Sequence, residues 1–309
     1  YKIIVVDNLS NSELKVKDSI EKITGKKIDF IQIDLVDKES VRVLFENHDI
    51  DAIIHFAASK AVGESVEKPL LYYQNNLISL LNLLEMSKEY SIKQFVFSSS
   101  CTVYGQPDKL PVTEDTRKKP AESPYGNTKQ ICEEIVEDYC KVNPSLKAIS
   151  LRYFNPIGAH ESALIGELPL GAPNNLVPFI TQTAAGIREK LNVFGGDYDT
   201  PDGTCIRDYI HVVDLAKAHI SALEFAGKME GNYDYFNIGT GKGYSVLEVI
   251  KSFESVSGLR LNYEIVDRRV GDIEKIFADT TKANKVLGWS AELGLDDMTR
   301  SAWEWQKSL

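Results

Sequence analysis

Short, nearly continuous runs of β-branched and apolar residues recur along the first half of the chain, separated by stretches of helical periodicity. The runs that read as strands are Ile3 to Val6, Ile28 to Ile33, Ala52 to Phe56, Gln94 to Ser98 and Ala148 to Tyr153. Their apolar character is not alternating, which predicts strands covered on both faces, as in a parallel sheet. Between them, Ser40 to Asn47 follows Asp37, a residue suited to capping. Pro69 to Glu89 carries Leu77, Leu80, Leu81 and Leu84 at helical spacing, and Asn127 to Cys140 carries Ile131, Ile135 and Tyr139. This alternation predicts an α/β protein with a doubly wound parallel sheet and crossover helices. After Asn155 the texture changes to loops bearing Gly and Pro as far as Val193, the expected start of a second, smaller lobe. A later run, Tyr235 to Ile238, reads as a strand returning to the first sheet.

A length of 309 residues suits two such lobes. With 43% hydrophobic and 26% charged residues and no biased tract, disordered and fibrous classes are excluded. The formal net charge of −10 repels phosphate backbones and anionic membranes, so no nucleic-acid partner is expected, and an anionic ligand needs a local basic pocket. No apolar run approaches the ~20 residues of a membrane span, so no membrane association is expected. No basic leader precedes an apolar stretch, although the chain begins at Tyr1 rather than Met. Cys101, Cys132, Cys140 and Cys205 form no close pair. Cys132 and Cys140 on one helix would stand about 12 Å apart, too far for a disulfide. Reduced thiols in a cytoplasmic protein are the expectation. His55 and His211 sit in apolar runs and read as buried structural histidines; no metal-ligand spacing occurs.

Asp7 ends the first strand. In a dinucleotide-binding βαβ unit an acidic residue at a strand end bonds the adenosine ribose, about 20 residues after a glycine-rich phosphate turn. Asp7 suits that role, with Asn8, Asn11 and Ser12 beside it; it also suits a plain strand end that turns the chain. The glycine turn would have to lie upstream of Tyr1. Gly239, Gly241 and Gly243 do not replace it, because Tyr244 stands where a third fingerprint glycine belongs, and a structural turn is expected there.

Within Ser123-Pro124-Tyr125-Gly126-Asn127-Thr128-Lys129, Tyr125 and Lys129 are spaced i, i+4, which puts phenol and ammonium on one helix face. Positive charge from Lys129 and from an oxidised nicotinamide would favour phenolate, letting Tyr125 remove an alcohol proton. Such a pair also arises by chance in many helices. It gains weight beside Ser98 to Gly105, because Ser100 falls at a strand's carboxyl end, where ligands of open α/β sheets gather. Ser98 to Ser100 also fit a simple helix cap.

Together with Asp7 to Ser12, His55 to Ser65, Leu151 to Pro156, Pro173 to Leu176 and Arg207 to His211, these segments resemble the extended short-chain dehydrogenase/reductase superfamily and, within it, the UDP-galactose 4-epimerase family. The resemblance runs over essentially the whole chain. It implies a Rossmann-type NAD-binding domain over residues 1–155, to which a segment at about 207–241 returns, and a smaller α/β UDP-sugar-binding domain mainly over 156–309. It implies NAD as cofactor and UDP-galactose and UDP-glucose as substrates. Tyr125 would be the base, Ser100 its relay to the sugar hydroxyl, and Lys129 the residue holding the nicotinamide ribose. Asp7, Asn8, Asn11 and Ser12 match the adenosine end. Asp34 and Leu35 match the adenine edge, Phe56, Ala57, Ala58 and Lys60 the loop along the cofactor, and Asn75 and Phe154 further NAD contacts. Asn155, Asn175, Leu176, Val193, Phe194, Arg207, Arg269 and Asp272 match residues that hold the UDP-sugar. For Arg207 and Arg269 the alternative is a solvated salt bridge.

The implied reaction is transient oxidation at carbon 4 of the sugar, rotation of the ketone about its diphosphate, and reduction on the other face. A nucleotide-sugar dehydratase is disfavoured, because the places of its Asp-Glu pair hold Cys101 and Thr102. A nucleotide-sugar-binding fragment is the other reading: Tyr1 is expected to mark a truncation that removes a central strand and the phosphate turn, leaving weak activity or none. Ile276 matches a family position that gates N-acetylated sugars, and such sugars are expected to be poor substrates. The resemblance also suggests a homodimer.

Overall fold

The computed structural model describes residues 1–269 and 272–309. Strand β1 (Ile4–Asp7), helix α1 (Lys15–Thr24), β2 (Asp29–Gln32) and α2 (Lys38–Asn47) come first, then β3 (Ala52–His55), α3 (Val62–Glu67), α4 (Pro69–Glu89) and β4 (Gln94–Ser100). A tight turn at Cys101–Tyr104 precedes α5 (Pro124–Val142) and β5 (Lys147–Tyr153). The second half contains β6 (Asn155–Ile157), α6 (Leu176–Ala184), β7 (Leu191–Phe194), β8 (Ile206–His211), α7 (Val212–Ala226), β9 (Tyr233–Ile238), β10 (Gly243–Ser245) and α8 (Val246–Ser257). It closes with β11 (Tyr263–Val266), β12 (Lys275–Ile276) and α9 (Leu295–Lys307).

Local chemistry sets several of these boundaries. The Asp37 carboxylate accepts from the amides of Glu39 and Ser40 at the start of α2. Pro69 occupies the first turn of α4, where a missing N–H costs nothing. The α5 helix begins three residues before the expected Asn127, because the Ser123 hydroxyl accepts from Gly126 N and Pro124 fits the first turn.

The principal sheet runs β3-β4-β5-β9, all parallel. Alternate residues of β4 point to opposite faces. Phe95 and Phe97 join Leu80, Leu84, Cys132 and Val136 beneath α4 and α5, whereas Val96 joins Ile149, Leu151, Ala218 and Ala222 beneath α7. Ala283 and Trp289 also pack into that second core, so the chain returns to the sheet again after β12. A smaller sheet runs β10-β8-β12, with β6 also paired to β8, and β11 pairs with β7. Of the stretch around 207–241, α7 and β9 therefore join the principal sheet, while β8 belongs to the smaller one.

The first two strands correct the expectation of two-sided cover. Among the described residues β1 and β2 pair only with each other, and none of their residues is fully buried. Ile4, Val6 and Ile31 pack on the first core from one side only. Helix α1 was not foreseen, although Val16, Ile20 and Ile23 stand at helical spacing in its sequence, KVKDSIEKIT; none of its residues is buried. The loops expected between Asn155 and Val193 contain α6 and β6.

Candidate active site

Ser98, Ser99 and Ser100 form the buried carboxyl end of β4. Ser100 Oγ accepts from Thr102 N at 3.2 Å, opening the turn beyond the strand. The α5 terminus comes close to this turn because Gly126 has no side chain: a Cβ there would lie 3.3 Å from both Thr102 Cβ and Ala121 Cβ. Tyr125 is thereby brought against Ser100 and Cys101.

Lys129 is 3% exposed. Its Nζ donates to the Ser98 carbonyl at 2.6 Å, and lies 4.8 Å from the Phe97 ring centroid and 6.0 Å from that of Tyr125. Among the described residues no carboxylate lies within ion-pair distance of it. Burial lowers its pKa from 10.5 to about 8, against smaller opposing effects of Cys132 and Glu133. Burial also raises the Tyr125 phenol well above its ordinary value; Tyr153 adds to this and hydrogen bonding with Ser100 opposes it. The ammonium is held on the Ser98 carbonyl 6.0 Å from the Tyr125 ring centroid, and desolvation is the largest influence on the phenol.

The buried ammonium has three N–H donors and only the Ser98 carbonyl as a hydrogen-bond partner among the described residues, so it retains capacity for hydroxyl acceptors of the kind a ribose presents. At the other end, Asp7 receives Leu9 N at 2.6 Å and Ser12 Oγ at 2.8 Å, both on Oδ1, through a turn in which Leu9 takes a φ of 57°. Asn8 Nδ2 donates to Asp34 Oδ2 at 3.2 Å, joining the ends of β1 and β2. Asn11 is exposed on the same turn, and the Leu35 carbonyl accepts from Asn82. These groups fit the polar end of a dinucleotide. Phe56 is 54% exposed at the carboxyl end of β3, its ring 4.5 Å from that of His219. Ala57 is exposed and Ala58 half-buried. Asn75 donates to Ser59 Oγ at 3.2 Å, holding the loop that ends in Lys60.

On the opposite side Arg207 donates to the backbone carbonyls of Ile206 at 2.9 Å and Glu274 at 3.4 Å, and makes no ion pair among the described residues. Its charge is felt by the buried Cys101 thiol, which also adjoins Ser100 and Tyr125. Arg269 instead pairs with Asp272 at 2.7 Å, 5.6 Å from the Phe194 ring. Among the described residues Arg269 is thus salt-bridged and Arg207 is not, and a pair between two expected site residues is compatible with both of them meeting a ligand. Asn175 donates to Glu167 at 2.6 Å, and Lys60 lies 3.7 Å from the same carboxylate. Leu176 begins α6 and Asn155 is half-buried in β6.

Some expected contact residues have buried side chains. Phe154 packs with Cys101, Tyr104, Val112 and Ile276, so toward a ligand it offers its backbone rather than its ring. Val193 packs into the core of the smaller lobe. Ile276, the expected gate, is likewise buried. His55 is buried, its pKa lowered by burial to about 3, and His211 accepts from Val213 N to cap α7.

Asp208 was not singled out by sequence reasoning. Its buried carboxylate accepts from Thr240 N at 2.8 Å, Thr240 Oγ1 at 2.7 Å, Gly241 N at 3.0 Å and Ala278 N at 3.1 Å. A Cβ on Gly239 would come within 2.5 Å of it. The glycine-rich turn therefore wraps a carboxylate of the protein itself, as a structural turn. No local pattern announces this, because the partners lie 32 to 70 residues away.

A family model described as GDP-mannose 4,6 dehydratase matches residues 1–302. The UDP-glucose 4-epimerase of Erwinia amylovora is 50% identical over 304 residues, covering 98% of this chain and 90% of that protein. The UDP-glucose 4-epimerase of Bacillus subtilis (strain 168) is 51% identical over 308 residues, covering 100% of this chain and 90% of that protein. The crystal structure of UDP-glucose 4-epimerase from Bifidobacterium longum in complex with NAD+ and UDP superposes with a TM-score of 0.96 at 48% identity, covering 100% of this chain and 91% of that one. Among the described residues no helix is long and apolar enough to cross a membrane.

Proposed function

The chain belongs to the UDP-glucose 4-epimerases, within the larger family described as GDP-mannose 4,6 dehydratase, and from that membership we propose how its own residues carry the reaction. It is an enzyme that interconverts UDP-galactose and UDP-glucose by transient oxidation at carbon 4 of the sugar, with NAD as cofactor. Bound NAD supplies the hydride acceptor and donor, so net redox is zero. Tyr125 removes the proton of the 4-hydroxyl and returns it, Ser100 relays it to the sugar, and Lys129 orients the ribose beside them. A phenol raised by burial needs cationic charge close by when the complex forms, which the oxidised nicotinamide and Lys129 together provide.

Asp7, Asn8, Asn11, Ser12, Asp34 and Leu35 hold the adenosine end, and the loop from Phe56 to Lys60, with Asn75 and the Phe154 backbone, follows the cofactor. Arg207, which forms no ion pair among the described residues, takes the diphosphate. Arg269, Asp272, Phe194, Asn155, Asn175, Leu176 and the Val193 backbone complete the UDP-sugar site in the smaller lobe. Dehydration is disfavoured because burial pushes the Cys101 thiol up to about 12 and Thr102 has no carboxyl, so neither serves as the acid or base that water loss requires. The reading extends to a cytoplasmic homodimer. Four unpaired buried thiols support the first term; exposed Leu70 and Leu81, three turns apart on α4, support the second.

The observation that carries the assignment is the convergence of Ser100, Tyr125 and the buried Lys129 at one strand end. Its test is the rate of UDP-glucose formation from UDP-galactose by the protein and by Tyr125→Phe, with bound NAD measured in each. The variant is expected to keep NAD and lose about two to four orders of magnitude in kcat. A loss of less than about tenfold would remove Tyr125 from the role of base.

A further inference from the structure

Glu133 and Arg152 form a buried ion pair that the reaction above does not use, at a point where three segments bearing site residues meet. Glu133 lies on α5 one turn beyond Lys129, and Arg152 lies on β5 shortly before Phe154; each is 1% exposed. The guanidinium donates to the carboxylate from Nε at 2.8 Å and from Nη2 at 2.7 Å, a two-point fork. Ser99 Oγ donates to Oε1 at 2.5 Å, and Lys118 Nζ lies 2.6 Å from Oε2. Ser99 stands on β4 between Ser98, whose carbonyl holds Lys129, and Ser100. Arg152 is itself held: its guanidinium lies 4.0 Å from the Tyr235 ring centroid and donates to Tyr104 Oη at 3.1 Å, and that hydroxyl donates to Asn237 at 2.6 Å.

A buried ion pair gains little net stability over apolar side chains of the same volume. Neutralising Arg152 also requires neither Ser99 nor Lys118. What the arrangement does set is the position of the serine strand relative to the Tyr125–Lys129 helix, and misplacement of a reacting group by about 1 Å can cost about a hundredfold in rate.

We propose that Glu133, clamped by Arg152, is a positioning residue for the epimerase reaction: through Ser99 it holds the strand end bearing Ser98 and Ser100 in place against the helix bearing Tyr125 and Lys129. The proposal rests on the assignment of those three residues above. It has an electrostatic corollary. Lys129 faces Tyr125, Cys132 and Glu133 from its own helix, His55 from β3 and the Ser98 carbonyl from β4. With the phenol and thiol raised and the imidazole lowered by burial, Glu133 is the anion of that group at neutral pH, and it favours the charged ammonium.

The test compares the NAD-loaded protein with the double variant Glu133→Met, Arg152→Met, which removes both charges together, and with Ser99→Ala, which removes only the link to the strand. Thermal unfolding, bound NAD per chain, kcat, KM and the pH dependence of kcat are measured for each. The double variant is expected to lose at least about tenfold in kcat per bound NAD, with KM for UDP-galactose within about threefold and the alkaline limb of kcat moved to lower pH. Ser99→Ala is expected to lower kcat in the same direction by about threefold or more. A folded double variant with kcat per bound NAD within about threefold and an unmoved pH profile overturns the proposal. If the double variant does not fold, an unaltered kcat in Ser99→Ala overturns it. A failure of the assignment itself looks different: the unaltered protein then binds NAD without epimerising UDP-galactose.

Discussion

Replacing Lys129 with Met is expected to stabilise the cofactor-free protein while removing its activity. The ammonium is 3% exposed, bonded to the Ser98 carbonyl at 2.6 Å, and its pKa falls from 10.5 to about 8 through burial. Each pKa unit is about 1.4 kcal/mol, so the charged, folded form carries a penalty of about 3 kcal/mol relative to the unfolded chain. Methionine keeps the stem against the Phe97 and Tyr125 rings and forfeits the bond to Ser98, about 1 kcal/mol, with part of the cation–π attraction. The net gain is about 1–2 kcal/mol, a rise of a few degrees in Tm. Linkage gives a second signature. From about pH 8 to 10.5 the folded protein has released this proton while the unfolded chain still holds it, so stability rises with pH over that window. The variant lacks this rise, and its advantage is greatest below pH 8 and closes toward pH 10.5. Circular dichroism melts of both NAD-stripped proteins across this range measure it. A variant that melts below the unaltered protein at pH 7, or a difference independent of pH, refutes the reasoning.

Asp208→Asn offers an amide where four donors converge and leaves backbone N–H groups facing an NH2; a loss of about 2–4 kcal/mol is expected, read as a drop in Tm. Arg207→Ala should raise KM for UDP-galactose by about ten- to a hundredfold in steady-state assays with kcat little changed, the loss of a charged hydrogen-bonding partner for the diphosphate. Ile276→Ala opens space in the core shared with Cys101 and Phe154: it should cost about 2–5 kcal/mol in denaturant unfolding and raise turnover of UDP-N-acetylglucosamine relative to UDP-glucose.

By itself the sequence determined what depends on near neighbours. The apolar runs specified the strands of the principal sheet, Asp37 and Ser123 with Pro124 specified helix starts, and the i, i+4 spacing put Tyr125 and Lys129 on one face of α5. Helix periodicity and capping act over one or two turns, so they can be read from a few consecutive residues. Tertiary structure decided what depends on groups far along the chain. It left β1 and β2 with cover on one side, buried Phe154, Val193 and Ile276, and separated Arg207 from the salt-bridged Arg269. It gathered Asp208 with Thr240, Gly241 and Ala278, and Glu133 with Ser99, Lys118 and Arg152. It also set the burial of Tyr125. Spacing places a charge near a phenol, but the cost of desolvating that phenol is set by everything packed over it, and those atoms come from other strands and helices.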